Sequence, residues 1–344
     1  MYRRFLLPLL ALVPLAGCDQ VSETDTPDAT VTAEELVAAL PTAEMLEARY
    51  PGYSAPEEKT SPADMSKMTV SSTDEGASCA EADNDETAYF YQDGCRVITY
   101  VNGVVRDVMN LLHTAISHQP THQGGGVYIW GPFEPEPGIT MMFGMQKNED
   151  GSIGYKLDAK RSDASDATYL TLLRGHIEEG EDLAHNVGDF DLSYDNIQQV
   201  NPSAGVGGVA EYDYDSLGTQ TGVHARLHNI LAGDGLRHQA EVSYYVNADT
   251  SGEMWYGFTD DLKEGEVGSS GEVVQETAKV HTRWLSDGQG RSDATITGGD
   301  LGEDVGRVTE CWDADYFQVY AAANWAGETG DPDLCAFESP QFPN

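Results

Sequence analysis

Lysine is scarce in this chain: seven residues among 344, against 58 acidic residues, for a formal net charge of −39 at pH 7. A surface field of that sign excludes nucleic acid and basic-patch adhesion to anionic lipid headgroups as modes of action. An acidic, lysine-poor surface does suit solubility in a salty exterior, where the self-repulsion is screened. No Cys-x-x-Cys occurs, which sets aside a zinc ribbon or a thioredoxin-like redox motif. His-Glu-x-x-His, Gly-x-Ser-x-Gly, Gly-x-Gly-x-x-Gly and the Walker loop are missing too. Beyond the first residues, no apolar run approaches the length of a transmembrane helix. The chain therefore offers no catalytic residue, no cofactor and no metal site by motif.

What is present begins at the N-terminus. Arg3 and Arg4 form a basic region, Phe5 to Leu15 form an apolar one too short to span a bilayer, and Leu15-Ala16-Gly17-Cys18 follows. This leader resembles that of bacterial lipoprotein precursors, and its four-residue box fits the family at every position. The resemblance covers the leader only. It implies diacylglyceryl transfer to the Cys18 thiol, cleavage before Cys18 and acylation of the new amine. The membrane would then be a partner through the lipid anchor, in a bacterial envelope, with the domain facing periplasm or exterior. Asp19 resembles an inner-membrane retention signal, a rule that varies between bacteria, so inner and outer membrane both stay open. Loss of residues 1–17 leaves 327 residues, with a charge of about −41 once Arg3 and Arg4 are gone, enough for one large all-β domain or two small ones.

Residues 18–31 read as the lipidated Cys18 and a polar, acidic, disordered tether. In residues 32–86, Thr32 and Glu35 make a capping box before a short helix that Pro41 stops. A second helical piece spans about Ala43 to Arg49, and irregular Ser-, Pro- and acid-rich sequence follows. Residues 87–337 read as one β-rich domain and 338–344 as a tail. A long amphipathic helix is expected from about Cys95 to Ser117, with Val97, Val101, Val104, Val108, Leu111 and Leu112 on its apolar face. From Gly126 to Trp312 the period changes to two. Ile139, Met141, Phe143 and Met145 alternate with polar or small residues, as do Ala240, Val242, Tyr244 and Val246. Hairpin chemistry such as Asn148-Glu149-Asp150-Gly151 and Asp249-Thr250-Ser251-Gly252 separates such runs. The fold class is therefore mainly β: an antiparallel meander of about ten to twelve strands, a curved sheet or half-barrel, with the helix packed on it. That order loosely resembles the half-barrels of bacterial lipoprotein carriers, which hold acyl chains in an apolar hollow.

Four cysteines remain after the leader, Cys79, Cys95, Cys311 and Cys335, an even number that reads as disulfides in an oxidising compartment. Three pairings are open. The local one, Cys79–Cys95 with Cys311–Cys335, is favoured. Among the histidines, His224 and His228 lie four residues apart on a strand, roughly 13 Å, too far to share a metal. With Arg226 they form a basic row, and Lys279, His281 and Arg283 form another; both are expected to pair with neighbouring carboxylates. Asp189, Asp191, Asp195 and the Glu211–Asp215 run are acidic clusters that read as solvated carboxylates. The segment from Asn247 to Gly252 mimics half an EF-hand loop, but Phe258 stands in the twelfth position, so a hairpin turn is expected. Apolar residues on both faces near Met141, Met142, Phe143 and Met145 make Met141, Phe143 and Met145 candidate lining for an apolar ligand. The expected function is a lipid-anchored, non-catalytic binding or structural protein. A carrier of an apolar ligand and a carboxylate-based hydrolase are the alternatives.

Overall fold

The computed structural model describes residues 31–54, 78–79, 87–178, 187–216, 220–231, 237–260, 275–301 and 304–343. Cys18, the leader and the tether lie outside the described residues. The capping box forms as expected: the Glu35 amide donates to Thr32 Oγ1 (3.2 Å) and the Thr32 amide to Glu35 Oε2 (2.7 Å), opening α1 (Ala33–Ala38). A second short helix, α2 (Ala43–Leu46), ends three residues before Arg49. Two short strands, β1 (Tyr53–Ser54) and β2 (Ser78–Cys79), pair with each other. Cys79 is bridged to Cys95 on α3 (Tyr89–Ile116), the long helix.

The rest is a single open sheet of fifteen antiparallel strands, each hydrogen-bonded to its neighbours in sequence. Its first half comprises β3 (Pro120–Gly124), β4 (Val127–Glu136), β5 (Ile139–Lys147), β6 (Ile153–Arg161), β7 (Leu170–Ile177), β8 (Val187–Ser193) and β9 (Val209–Ser216). A short helix, α4 (Tyr194–Val200), joins β8 to β9. The second half comprises β10 (Gln220–Leu231), β11 (Arg237–Asn247), β12 (Gly252–Asp260), β13 (Glu276–Trp284), β14 (Gly290–Gly298), β15 (Gly306–Trp312), β16 (Gln318–Ala323) and β17 (Gly327–Gly330). The count exceeds the ten to twelve expected. Three strands, β3, β16 and β17, lie outside the Gly126–Trp312 span of alternating sequence. Little of them is buried, so no hydrophobic period marks them.

The helix lies across the strands. It touches β14 and β15 as well as β4 and β5. A helix of 28 residues is about 42 Å long, whereas β4 to β15 would span about 53 Å in a flat sheet. The sheet therefore bends toward the helix. Ile98, Val101, Val105, Val108 and Leu112 enter a continuous core with Phe143, Leu157, Phe190, Leu192 and Tyr244 from the inner face of the sheet. Buried aromatic rings on that face lie over glycines of the adjacent strand, directly opposite in register: Tyr155 on Gly175, Tyr214 on Gly188, Trp284 on Gly252 and Trp312 on Gly290. The missing side chain makes room for the ring, and the ring shields the glycine backbone.

The helix begins at Tyr89, not near Cys95. Its first amides are capped by Glu310 of β15, which accepts from Tyr89 N (2.9 Å) and Phe90 N (2.6 Å). The segment before β1 is pinned by Asn102 of α3, whose side-chain amide donates to Ala48 O (3.0 Å) and accepts from Ala48 N (2.7 Å). Among the described residues, no helix is long and apolar enough to cross a membrane.

Candidate functional site on the outer face of the sheet

Met141, Phe143 and Met145, the candidate ligand lining, point inward and are 1, 0 and 1 % exposed within the core shared with α3. Met142 faces the other way and is half-buried. The second apolar layer that the sequence called for is thus the helix itself.

The outer face carries the chemistry. Strand register places His176, Asp189, Asp213 and His224 in one row across β7 to β10, each directly opposite the next. Ser243, Trp255, His281 and Asp293 continue the row across β11 to β14. Alternation alone produces it, because odd-numbered residues of β8, β9, β11, β12, β13 and β14 and even-numbered ones of β7 and β10 share that face. Legible in the sequence were the two basic rows. The alignment of the strands that join them into one line was not.

At one end of the row, between β7 and β11, lies a groove of about 320 Å³ lined by His176, Asp189, Asp213, Asp215, His224 and Tyr245, among others. Arg226 neutralises one wall, with Nη2 2.9 Å from Asp213 and Nε 3.1 Å from Glu211. His224 is held by Ser243 Oγ (2.7 Å) and Glu241 (3.3 Å), and His228 lies 3.7 Å from Glu211. These histidines and Arg226 pair with carboxylates, as expected of them. Burial pushes the Asp189 carboxyl above its ordinary range, helped by the nearby charges of Asp191 and Asp213 and opposed by His176 and Arg174. Burial also raises Asp215. Asp189 stands directly opposite Asp213 on β9, whose carboxylate is taken by Arg226. Biased toward its protonated form, Asp189 is the groove carboxyl suited to donate a hydrogen bond to a bound group. Among the described residues, no group of three or more His, Cys, Asp or Glu side chains is arranged to hold a metal ion.

The other end of the row is covered. Cys311 of β15 is bridged to Cys335, and from there residues 336–343 run over β13 and β14. Beneath them sit His281, Arg283, Arg291 and Asp293, all buried although they face away from the core. Asp293 is 0 % exposed and takes Arg283 Nη2 (2.9 Å), Arg291 Nε (3.0 Å) and Thr309 Oγ1 (2.7 Å). The His281 imidazole stacks on Trp255, with ring centroids 4.2 Å apart, and lies 3.1 Å from Glu253. Burial holds its pKa below the ordinary histidine value despite Glu253. His281 and Arg283 pair with carboxylates, as expected of that basic row, and Lys279 is exposed. The cover over His281 and Arg283 was not legible, since nothing local reveals what lies on top of a strand.

The tight turn at Asn247–Gly252 is a hairpin in which Asp249 caps Ser251, as its chemistry requires. Trp312 is fully buried beside the bridged Cys311. Compared with known proteins, the chain matches no family, no curated protein and no solved structure.

Proposed function

We propose that this is a lipid-anchored protein of the bacterial envelope, held through Cys18, with a non-catalytic binding or structural role exercised by the outer face of its sheet. One observation carries the placement on that face. The inner face is closed by the chain's own helix, with Met141, Phe143 and Met145 packed under it, whereas the outer face carries a polar row and an open groove. The fifteen-strand scaffold gives such a face rigidity, because its side chains stand on hydrogen-bonded strands rather than on loops. Both disulfides suit an oxidising compartment.

The test is metabolic labelling with a fatty-acid probe and envelope fractionation of the wild type and Cys18→Ser. Labelling and membrane retention that vanish in Cys18→Ser support the anchor; equal labelling of both overturns it.

A carboxylate-based hydrolase is favoured by one observation, the opposed Asp189 and Asp213 in an open groove. Turnover of a panel of chromogenic glycosides, lost on Asp189→Asn, would establish that reading. No turnover across the panel, with Asp189→Asn folding normally, leaves the binding role.

A further inference from the structure

Residues 336–343 hold to the sheet in an unusual way. Alternate carbonyls are taken one by one: Phe337 O by Arg291 Nη1 (2.8 Å), Ser339 O by Arg283 Nη2 (3.0 Å) and Pro343 O by Thr295 Oγ1 (3.2 Å). Gln341 O lies 3.3 Å from His281 Nδ1, and the Gln341 amide donates to Asp293 Oδ2 (2.9 Å). A spacing of two is that of an extended chain with one edge toward the sheet. Every one of these bonds goes to the main chain of the strap. Glu338, Ser339 and Gln341 are exposed, and among the described residues their side chains bond to nothing on the sheet. Two side chains add ring contacts, Phe337 over Arg283 (4.8 Å) and Phe342 over Arg307 (5.8 Å).

A strap that served only to cover the sheet would be held more cheaply by apolar residues, because burying Arg283, Arg291 and Asp293 carries a desolvation cost that such residues avoid. The charged floor instead supplies donors and one acceptor at the spacing of a peptide backbone. One of its donors is left over: Arg283 is 8 % exposed, and its Nε is buried with no hydrogen-bond partner among the described residues. A buried donor without an acceptor marks a position where an occupant richer in acceptors than residues 336–343 gains a bond.

We propose that the outer face of β13 and β14 is a peptide-binding groove that reads main chain, for an extended peptide with the carbonyl spacing of residues 336–343, and that residues 336–343 occupy it as a ligand in cis. The groove deepens the binding half of the role proposed above and is independent of the lipid anchor. A protein that is lipidated but binds no peptide would overturn this inference alone.

The experiment uses the full chain. In Phe337→Ala/Phe342→Ala the strap loses its two ring contacts while the floor is untouched. A fluorescent peptide of residues 336–343 is titrated into this variant and into wild type, read by polarisation and by the emission of Trp255, which stacks on His281. Expected is saturable binding to the variant and at least tenfold weaker binding to wild type, whose groove is filled. Main-chain reading further requires that replacing Glu338, Ser339 and Gln341 of the peptide by Ala changes affinity less than threefold. N-methylation of the Gln341 amide should weaken it at least tenfold. A variant that keeps the near-ultraviolet circular dichroism of wild type but binds no peptide overturns the proposal. So does equal binding to both proteins, or indifference to N-methylation. Should the double variant lose its near-ultraviolet signal, Gln341→Pro, which removes only the amide bonded to Asp293, takes its place with the same outcomes.

Discussion

Glu310 Oε2 accepts a 2.6 Å hydrogen bond from the backbone amide of Phe90, across 220 residues of sequence. The carboxylate sits at the start of α3, where unpaired amides and the helix dipole favour negative charge. Burial works the other way and dominates, pushing the Glu310 pKa up to about 7. In the unfolded chain the group titrates near the ordinary glutamate value of about 4.3.

Stability should therefore depend on pH through this residue, in a stated direction. Between about pH 4.5 and 7 the folded state binds more protons at Glu310 than the unfolded state, so its contribution is largest below that window and is lost as pH rises through about 7. The shift corresponds to roughly 3 kcal/mol. Urea denaturation of wild type and Glu310→Gln at pH 4.5 and 8 isolates it. Relative to Glu310→Gln, wild type should be less stable at pH 8 than at pH 4.5 by that order. Parallel profiles for the two proteins would refute the account.

Aromatic-on-glycine packing predicts opposite effects for two Gly→Ala changes. At Gly252 a new Cβ would lie 2.6 Å from the Trp284 ring and 2.5 Å from the Tyr245 carbonyl oxygen. Trp284 is buried and its Nε1 is tied to Thr250 O (2.9 Å), so the ring cannot step aside. Overpacking of this kind costs about 1–3 kcal/mol. At Gly103 of α3 a Cβ meets nothing within 4 Å, and Ala there should stabilise by about 0.5–1 kcal/mol through helix propensity. Midpoints of chemical denaturation moving down for Gly252→Ala and up for Gly103→Ala are the expected pair. The same direction for both would contradict it.

Asn102 is the polar pin between the helix and the segment before β1. It is 0 % exposed, and both groups it satisfies belong to the buried Ala48. Asn102→Ala leaves a buried N–H and a buried C=O without partners, at a cost of about 2–4 kcal/mol. Hydrogen exchange should show loss of protection at the Ala48 amide well before the strands of the sheet open. Unchanged protection there would mean that the segment is held by other contacts.

Sequence alone determined whatever depends on neighbours along the chain. The Thr32/Glu35 box, the two-residue period of β5 and β11, the turn at Asp249 and the apolar stripe of α3 are local patterns, and each folds as its spacing dictates. The pairing of Cys79 with Cys95 and of Cys311 with Cys335 was favoured by its short loops, and the structure decides it among the three that were open. Tertiary structure decided the rest, for physical reasons that no window of sequence contains. The first turn of α3 was invisible because its cap comes from Glu310 and not from a preceding Ser, Thr, Asp or Asn. The inward methionines read as lining for a ligand, because alternation states that a face is buried without saying by what, and here α3 does it. His281 and Arg283 read as a basic row on a polar face paired with carboxylates, and that pairing forms. They are buried because residues 336–343, fixed at Cys335, return across the outer face. Alternation assigns a side chain to a face, but only the path of the distant chain decides whether that face meets water.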